Sequence, residues 1–265
     1  MSSPTLDDLE IWLVNDDPAQ LLVQKRLLGR FAATVWDFQS PTELVAQARK
    51  YGSCPNLVSD FHMPGMNGLE LSQLWCQMHP DARVLLISAS ELTRAEKEEA
   101  TYLPSNRVKL MTAYRIPEVL NAAKEWFGGT DREAAKEDSL EKAPAPPQNL
   151  SYFDSDVLDK LKILGGSAFV KKALIRFSDR IPTRLANFYE FIEEKSHRKI
   201  HQEAHSLKGS CGIVGATQML ECAHELEEAA KDEKALEEIE EQVERLESLW
   251  QETARELKEV LQSCE

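Results

Sequence analysis

The sequence predicts two domains of different class: a doubly wound α/β domain with a five-stranded parallel sheet over residues 1–128, and an all-α antiparallel helical bundle over residues 150–265. Three observations predict this. Before residue 128, short apolar runs alternate five times with helical patterns. After residue 150, the apolar residues step by three and four over long stretches. Between the two, residues 129–149 hold mixed charges and Ala143-Pro144-Ala145-Pro146-Pro147 with almost no large apolar side chain, so they read as a linker that cannot build a core. A chain of 265 residues gives each domain enough length to bury a core of its own.

In the first half, Leu9 to Val14 is an apolar strand ending in Asn15-Asp16-Asp17-Pro18, and Leu21, Leu22, Lys25, Leu28 and Phe31 then keep helical spacing. Ala33 to Phe38 reads as the second strand. Ser40-Pro41-Thr42-Glu43 supplies an N-cap, a proline at the first helical position and a capping-box acid for the next helix. Leu57 to Ser59 forms the third strand, ending at Asp60, and a loop broken by Pro64, Gly65 and Gly68 leads into a helix from Leu69 to Met78. Val84 to Ile87 is the fourth strand, ending at Ser88. A polar helix from about Thr93, a weak fifth strand near Arg107-Val108 ending at Lys109, and a helix from Pro117 to Phe127 complete the alternation.

In an open parallel sheet, ligands bind at the carboxyl ends of the strands. Asp16, Asp60, Ser88 and Lys109 are all expected at such ends. Clustered carboxylates repel unless a hard cation joins them, so an oxygen-ligated Mg²⁺ is the expected cofactor, and a carboxylate so placed can attack phosphorus. The run Asp60-Phe61-His62-Met63-Pro64-Gly65-Met66-Asn67-Gly68 resembles the Asp-x-x-Met-Pro-x-Met-x-Gly motif of the response-regulator receiver family, of flavodoxin-like fold. The resemblance spans about Leu6 to Phe127. It implies Asp60 as phosphoacceptor, Asp16 and the His62 backbone carbonyl as metal ligands, Ser88 as a switch hydroxyl and Lys109 as the partner of the phosphoryl group. Three residues depart from the family pattern. Asn15 stands where the first of two acids is usual, keeping an oxygen ligand but removing a charge; Leu110 replaces the proline that usually follows the lysine; Asn106 replaces a switch aromatic.

In the second half, Asp154 or Ser155 caps a short helix that Gly165-Gly166 ends. Val170, Leu174, Phe177, Ile181, Leu185, Phe188 and Ile192 form one long apolar stripe, with a kink expected near Ser178 because Pro182 lacks the N–H to bond there. Ser196 caps the next helix, Gly212 or Gly215 ends it, another begins at Ala216 or Thr217, and Leu236 to Leu261 lines the last. The acidic stretch Glu237 to Glu247 keeps helical spacing and reads as a solvated face. On a helical wheel Ile200, Ala204, Leu207 and Cys211 make the buried face, while His201, His205, Lys208 and Gly209 share a neighbouring sector expected to be an exposed patch. Phosphoryl transfer to nitrogen needs an imidazole lone pair, a nearby positive charge and room for a partner, and these residues offer the three.

Ala204-His205-Ser206-Leu207-Lys208-Gly209-Ser210, with Gly215 beyond, resembles the signature of the histidine phosphotransfer (HPt) family. The resemblance implies His205 as phosphoacceptor, Lys208 as electrostatic assistant and Gly209 as the place where the partner approaches. A zinc site of His201, His205 and His224 is the competing reading, weakened by the lack of a helical glutamate in the hydrolase pattern.

Composition narrows the functional classes. The net charge is -14 and neither half is basic, which argues against a nucleic-acid surface. No apolar run approaches the ~20 residues that span a bilayer, and the polar, acidic start is no signal peptide. Five scattered cysteines (Cys54, Cys76, Cys211, Cys222 and Cys264) suit a reduced, cytoplasmic compartment. No glycine-rich nucleotide motif follows His205, so no kinase is expected within this chain. The expected function is a two-component phosphorelay protein that accepts phosphoryl on Asp60 and accepts and donates it on His205, with a histidine kinase, hybrid or simple, and other receiver domains as partners. The alternative is an HPt protein whose receiver is an unphosphorylated protein-binding module.

Overall fold

The structure, a computed structural model, describes residues 9–50, 56–88, 92, 94–112, 116–128 and 152–263. The chain separates into two compact units, residues 1–143 and 144–265. The expected linker, residues 129–149, lies outside the described residues, as do Thr93, Cys54 and Cys264.

In the first unit, β-branched and leucine-rich runs form β1 (Glu10–Val14), β2 (Thr34–Phe38), β3 (Asn56–Asp60), β4 (Val84–Ser88) and β5 (Val108–Thr112). All neighbours pair in parallel in the order β2-β1-β3-β4-β5. Alternate residues of each strand face opposite cores, as the pleat requires. Trp12, Val14, Leu57 and Val84 pack on one side with Leu44 of α2 (Pro41–Ala48) and Leu71 and Trp75 of α3 (Gly68–Met78). Ile11, Leu13, Val58, Leu85 and Ile87 pack on the other with Leu21 and Leu28 of α1 (Pro18–Leu28) and Val119 and Ala123 of α5 (Ile116–Phe127). A third cluster, Phe61, Leu69, Leu86 and Leu92, touches Ala100 of α4 (Arg94–Ala100). Helices therefore cover both faces, which makes the sheet doubly wound.

Local chemistry starts the helices where the sequence indicates. The Ser40 hydroxyl accepts from the Glu43 amide at 3.2 Å, and Asn67 and Glu70 form a reciprocal capping box on α3. Gly68 has no room for a side chain: a Cβ there would lie 2.3 Å from the Asp60 carbonyl oxygen and 2.4 Å from Leu86. The glycine thus lets the loop after Asp60 fold back tightly, its amide donating to the Phe61 carbonyl at 2.8 Å.

One expected boundary is corrected. β5 continues past Lys109 to Thr112, and the register pairs Lys109 with Leu85 and Thr112 with Ser88. Lys109 is therefore inside the strand, three residues or about 10 Å short of its carboxyl end. β5 lies at the edge of the sheet, where the long aliphatic stem of a lysine is tolerated on a half-exposed strand.

The second unit consists of α6 (Ser155–Gly165), α7 (Ser167–Glu193), α8 (His197–Val214), α9 (Thr217–Lys231) and α10 (Leu236–Ser263). α7 to α10 pack in a ring of successive neighbours, α7 against α8, α8 against α9, α9 against α10 and α10 against α7, and short connections make the bundle antiparallel. α6 packs on α7 and α8. Pro182 lies inside α7, which continues as helix from Ser167 to Glu193. Gly215, at φ 77°, ends α8 with its amide donating to the Cys211 carbonyl, and α9 follows at once. The Asp154 amide donates to the Gly215 carbonyl at 2.8 Å, tying the start of α6 to the turn between α8 and α9. No helix among the described residues is long and apolar enough to cross a membrane.

Candidate functional site

Three sides of α8 are fixed by what they pack against. Ile200, Ala204, Leu207 and Cys211 are fully or almost fully buried in the bundle. Glu203, Ser206 and Ser210 turn toward α7, where the buried Arg184 donates to the Glu203 carboxylate at 2.8 Å and the Ser206 hydroxyl at 2.8 Å. Asn187 donates to the other Glu203 oxygen at 3.3 Å. The third sector, which carries His205 and Lys208, meets α9.

There the structure corrects the expected exposed patch. His205 is only 1% exposed, and Lys208 and Gly209 are buried with it. The wheel treats α8 alone, whereas α9 brings Glu227, itself 2% exposed, into this sector. His205 Nδ1 lies 2.8 Å from Glu227 Oε1, and the Lys208 ammonium donates to Oε2 of the same carboxylate. His224 Nδ1 stands 3.9 Å from Oε2, with an exposed ring. One turn before His205, the half-buried His201 sets its ring nearly parallel, at 19° and 6.4 Å between centroids.

Glu227 was missed by periodicity reasoning, although a signal existed. It falls four residues after Ala223 and three before Ala230, on the inward stripe of α9, where a lone acid needs donors. Arg184 carries the same signal on α7, between Ile181 and Phe188. A buried carboxylate that accepts from Nδ1 fixes the ring orientation and tautomer, so the lone pair sits on Nε2. The arrangement can therefore keep a nucleophilic lone pair on Nε2 of the buried ring and disperse the positive charge that the ring gains when it forms a bond. Among the described residues, no group of three or more His, Cys, Asp or Glu side chains could hold a metal ion, which removes support from a zinc site at His201, His205 and His224.

In the first unit, Asp60 ends β3 and is 8% exposed. Burial pushes its carboxyl well above the ordinary range, and the nearby charges of Asp16 and Asp17 add to this against the lowering effect of the Phe61 and His62 amides. Ser88 ends β4 and is wholly buried. His62 Nε2 lies 2.9 Å from Glu96 Oε1 of α4. Asp17 is occupied at the start of α1, its carboxylate accepting from the Ala19 and Gln20 amides at 3.0 and 2.9 Å.

Two sequence-predicted helpers sit differently from expectation. The Asn15 Oδ1 accepts from the Asp17 amide at 2.8 Å and the residue is fully buried, so its oxygen serves the turn into α1. The Lys109 ammonium donates to Glu125 of α5 at 2.6 Å and lies 6.0 Å from the Trp126 ring, below the level of the strand ends. The next lysine along the chain is Lys124. Asp16 stands near enough to Asp60 for its charge to raise the Asp60 carboxyl, a repulsion that a divalent cation held by the two acids would relieve.

Residues 172–262 match the family model of the Hpt domain. No curated protein matches the chain. Among solved structures, histidine-containing phosphotransfer protein B (HptB) from Pseudomonas aeruginosa PAO1 is similar over 43% of this chain and 98% of its own, with 22% identity and a TM-score of 0.41. A two component transcriptional regulator AraC from Clostridium phytofermentans ISDg is similar over 46% of this chain and 93% of its own, with 21% identity and a TM-score of 0.35. The five-stranded parallel sheet of the N-terminal unit is consistent with a receiver domain.

Proposed function

We propose that this chain is a phosphotransfer protein of a two-component phosphorelay, in which His205 Nε2 accepts a phosphoryl group from one partner and donates it to another. The layout of the proposal is a receiver-type domain over 1–128, a linker over 129–149 and the HPt bundle over 150–265. The observation that carries it is the His205–Glu227–Lys208 arrangement inside the segment matching the Hpt domain.

The chemistry is an in-line displacement at phosphorus. The Nε2 lone pair forms the N–P bond as the P–O bond to a partner's aspartyl carboxylate breaks, and that carboxylate leaves with the electron pair. The ring gains positive charge, which Glu227 stabilises through Nδ1–H. The reverse step passes the group to another receiver. The phosphoryl source is a histidine kinase elsewhere, and the partners supply most of the catalysis. In the test, phosphorylated partner receivers label the wild-type chain at an acid-labile site and His205→Gln removes that label. An acid-labile label that persists on residues 150–265 of the variant would sink the assignment.

For the N-terminal domain a second reading has specific support. The placement of Lys109 with Glu125 and the occupied oxygen of Asn15 favour a protein-binding regulatory module over an efficient phosphoacceptor. Mg²⁺ held by Asp16, Asp60 and the His62 carbonyl would shield charge on an incoming phosphoryl group. Within this reading, incubation with acetyl phosphate and Mg²⁺ leaves Asp60 largely unlabelled while His205 still exchanges phosphate with partner receivers. Rapid, stoichiometric labelling of Asp60 would restore the two-acceptor relay.

A further inference from the structure

In the first unit, the two residues after Asp60 connect its carboxylate with α4. The peptide that joins Phe61 to His62 is held at both of its polar atoms. Its carbonyl accepts from the Gly68 amide at 2.8 Å, and its N–H, that of His62, bonds the Asp60 carboxylate. The side chains on either side of this peptide meet α4. Phe61 lies in the buried cluster with Leu69, Leu86 and Leu92, against which Ala100 packs at the end of α4. The buried His62 ring stands 4.7 Å from that of Phe61, between centroids, and sets Nε2 2.9 Å from the carboxylate of Glu96 in the first turn of α4. At that distance the ring N–H donates to the carboxylate. A change at the Asp60 carboxylate therefore acts on a peptide whose side chains hold both ends of α4. The residues expected to register such a change are placed elsewhere. Asn106, at the position of the switch aromatic, is exposed, and the Lys109 ammonium is bonded to Glu125.

We propose that His62 couples the Asp60 carboxylate to α4, its amide facing the carboxylate and its ring holding Glu96. Whatever engages the carboxylate in place of the amide releases the peptide, weakens the His62–Glu96 contact and loosens α4. The coupling belongs to the first unit alone and holds under either reading of that domain, because a cation and a phosphoryl group draw on the same carboxylate. It is independent of the reading of His205.

The experiment is amide hydrogen exchange of the full-length chain without added metal, read over Arg94–Ala100, for the wild type, Asp60→Ala, Glu96→Ala and the double variant. Glu96→Ala removes the acceptor on α4 at a partly exposed position and speeds exchange of α4 roughly tenfold, the effect of losing one charge-assisted hydrogen bond. Asp60→Ala removes the acceptor of the His62 amide and speeds exchange of α4 roughly threefold, although the substituted residue lies outside that helix. The two effects do not multiply: the double variant exchanges no faster than Glu96→Ala, since the contact through which Asp60 acts is already gone. The amides of α2 serve as the control and exchange no faster in any variant. Four results each overturn the inference: α4 unchanged in Asp60→Ala, α4 unchanged in Glu96→Ala, effects that multiply in the double variant, or α2 speeding up together with α4.

Discussion

At the scale of single residues, Glu227 has the largest consequences. Its carboxylate is 2% exposed and accepts from two donors, so its removal leaves the Lys208 ammonium buried without its counter-charge. Glu227→Ala is expected to destabilise the bundle by about 3 kcal/mol in urea unfolding, the range for breaking one side of a buried ion pair. Glu227→Gln retains the shape but not the charge, and phosphorylation of His205 should slow at least ~10-fold because the ring loses the group that stabilises its positive charge. An unchanged rate in Glu227→Gln would mean that the contact is structural only. Cys222 illustrates the opposite case, a chemically quiet residue. It is fully buried, and burial pushes its thiol up to about 11, with Glu225 adding to this and Arg245 opposing it. At pH 8 it is protonated, so iodoacetamide should leave it unmodified in the folded chain and alkylate it only after denaturation, as peptide mass spectrometry can read.

At the scale of elements, the legible features were those set by local chemistry. Ser40, Asp154 and Ser196 each accept from amides at the start of their helices, as the sequence pattern indicates. The apolar stripes of α7 and α10 and the parallel sheet were legible for the same reason, since periodicity is a property of the chain itself. What was not legible required a second element. Burial of His205 depends on α9, and the one charged residue on the inward stripe of α9 carries no weight in a count of apolar positions. The end of β5 was misplaced because Lys109 was expected at a strand end, whereas Leu110, Met111 and Thr112 extend the strand to the level of Ser88. That register has a direct consequence. Lys109→Ala should leave the reactivity of Asp60 toward acetyl phosphate unchanged, whereas Thr112→Lys, which puts an ammonium at the carboxyl end of β5, should raise it roughly tenfold. Loss of Asp60 reactivity in Lys109→Ala would show that the lysine reaches the site after all.

At the scale of the whole molecule, the two units bury separate cores, one on each face of a parallel sheet and one inside a helical bundle. Each should therefore unfold as its own cooperative transition in scanning calorimetry. The buried acid at the strand ends separates the two experimentally. The carboxyl of Asp60 is raised well above its ordinary value by burial, then by Asp16, so the folded state holds its proton more tightly than the unfolded chain does. The stability linked to that proton is fully present below the ordinary carboxylate pKa of about 3.9 and is lost as pH rises through the folded value. At neutral pH without Mg²⁺, Asp60→Asn removes this cost and should stabilise the first unit by on the order of 1–3 kcal/mol. The gain should shrink as the pH falls toward 4. The transition of the bundle should not move with it, whereas Glu227→Ala should lower the bundle transition and leave the first unit where it was. A single transition that both substitutions shift together would instead mean that the units fold as one cooperative body, and the regulatory reading of the N-terminal domain would then rest on coupling through the folded state.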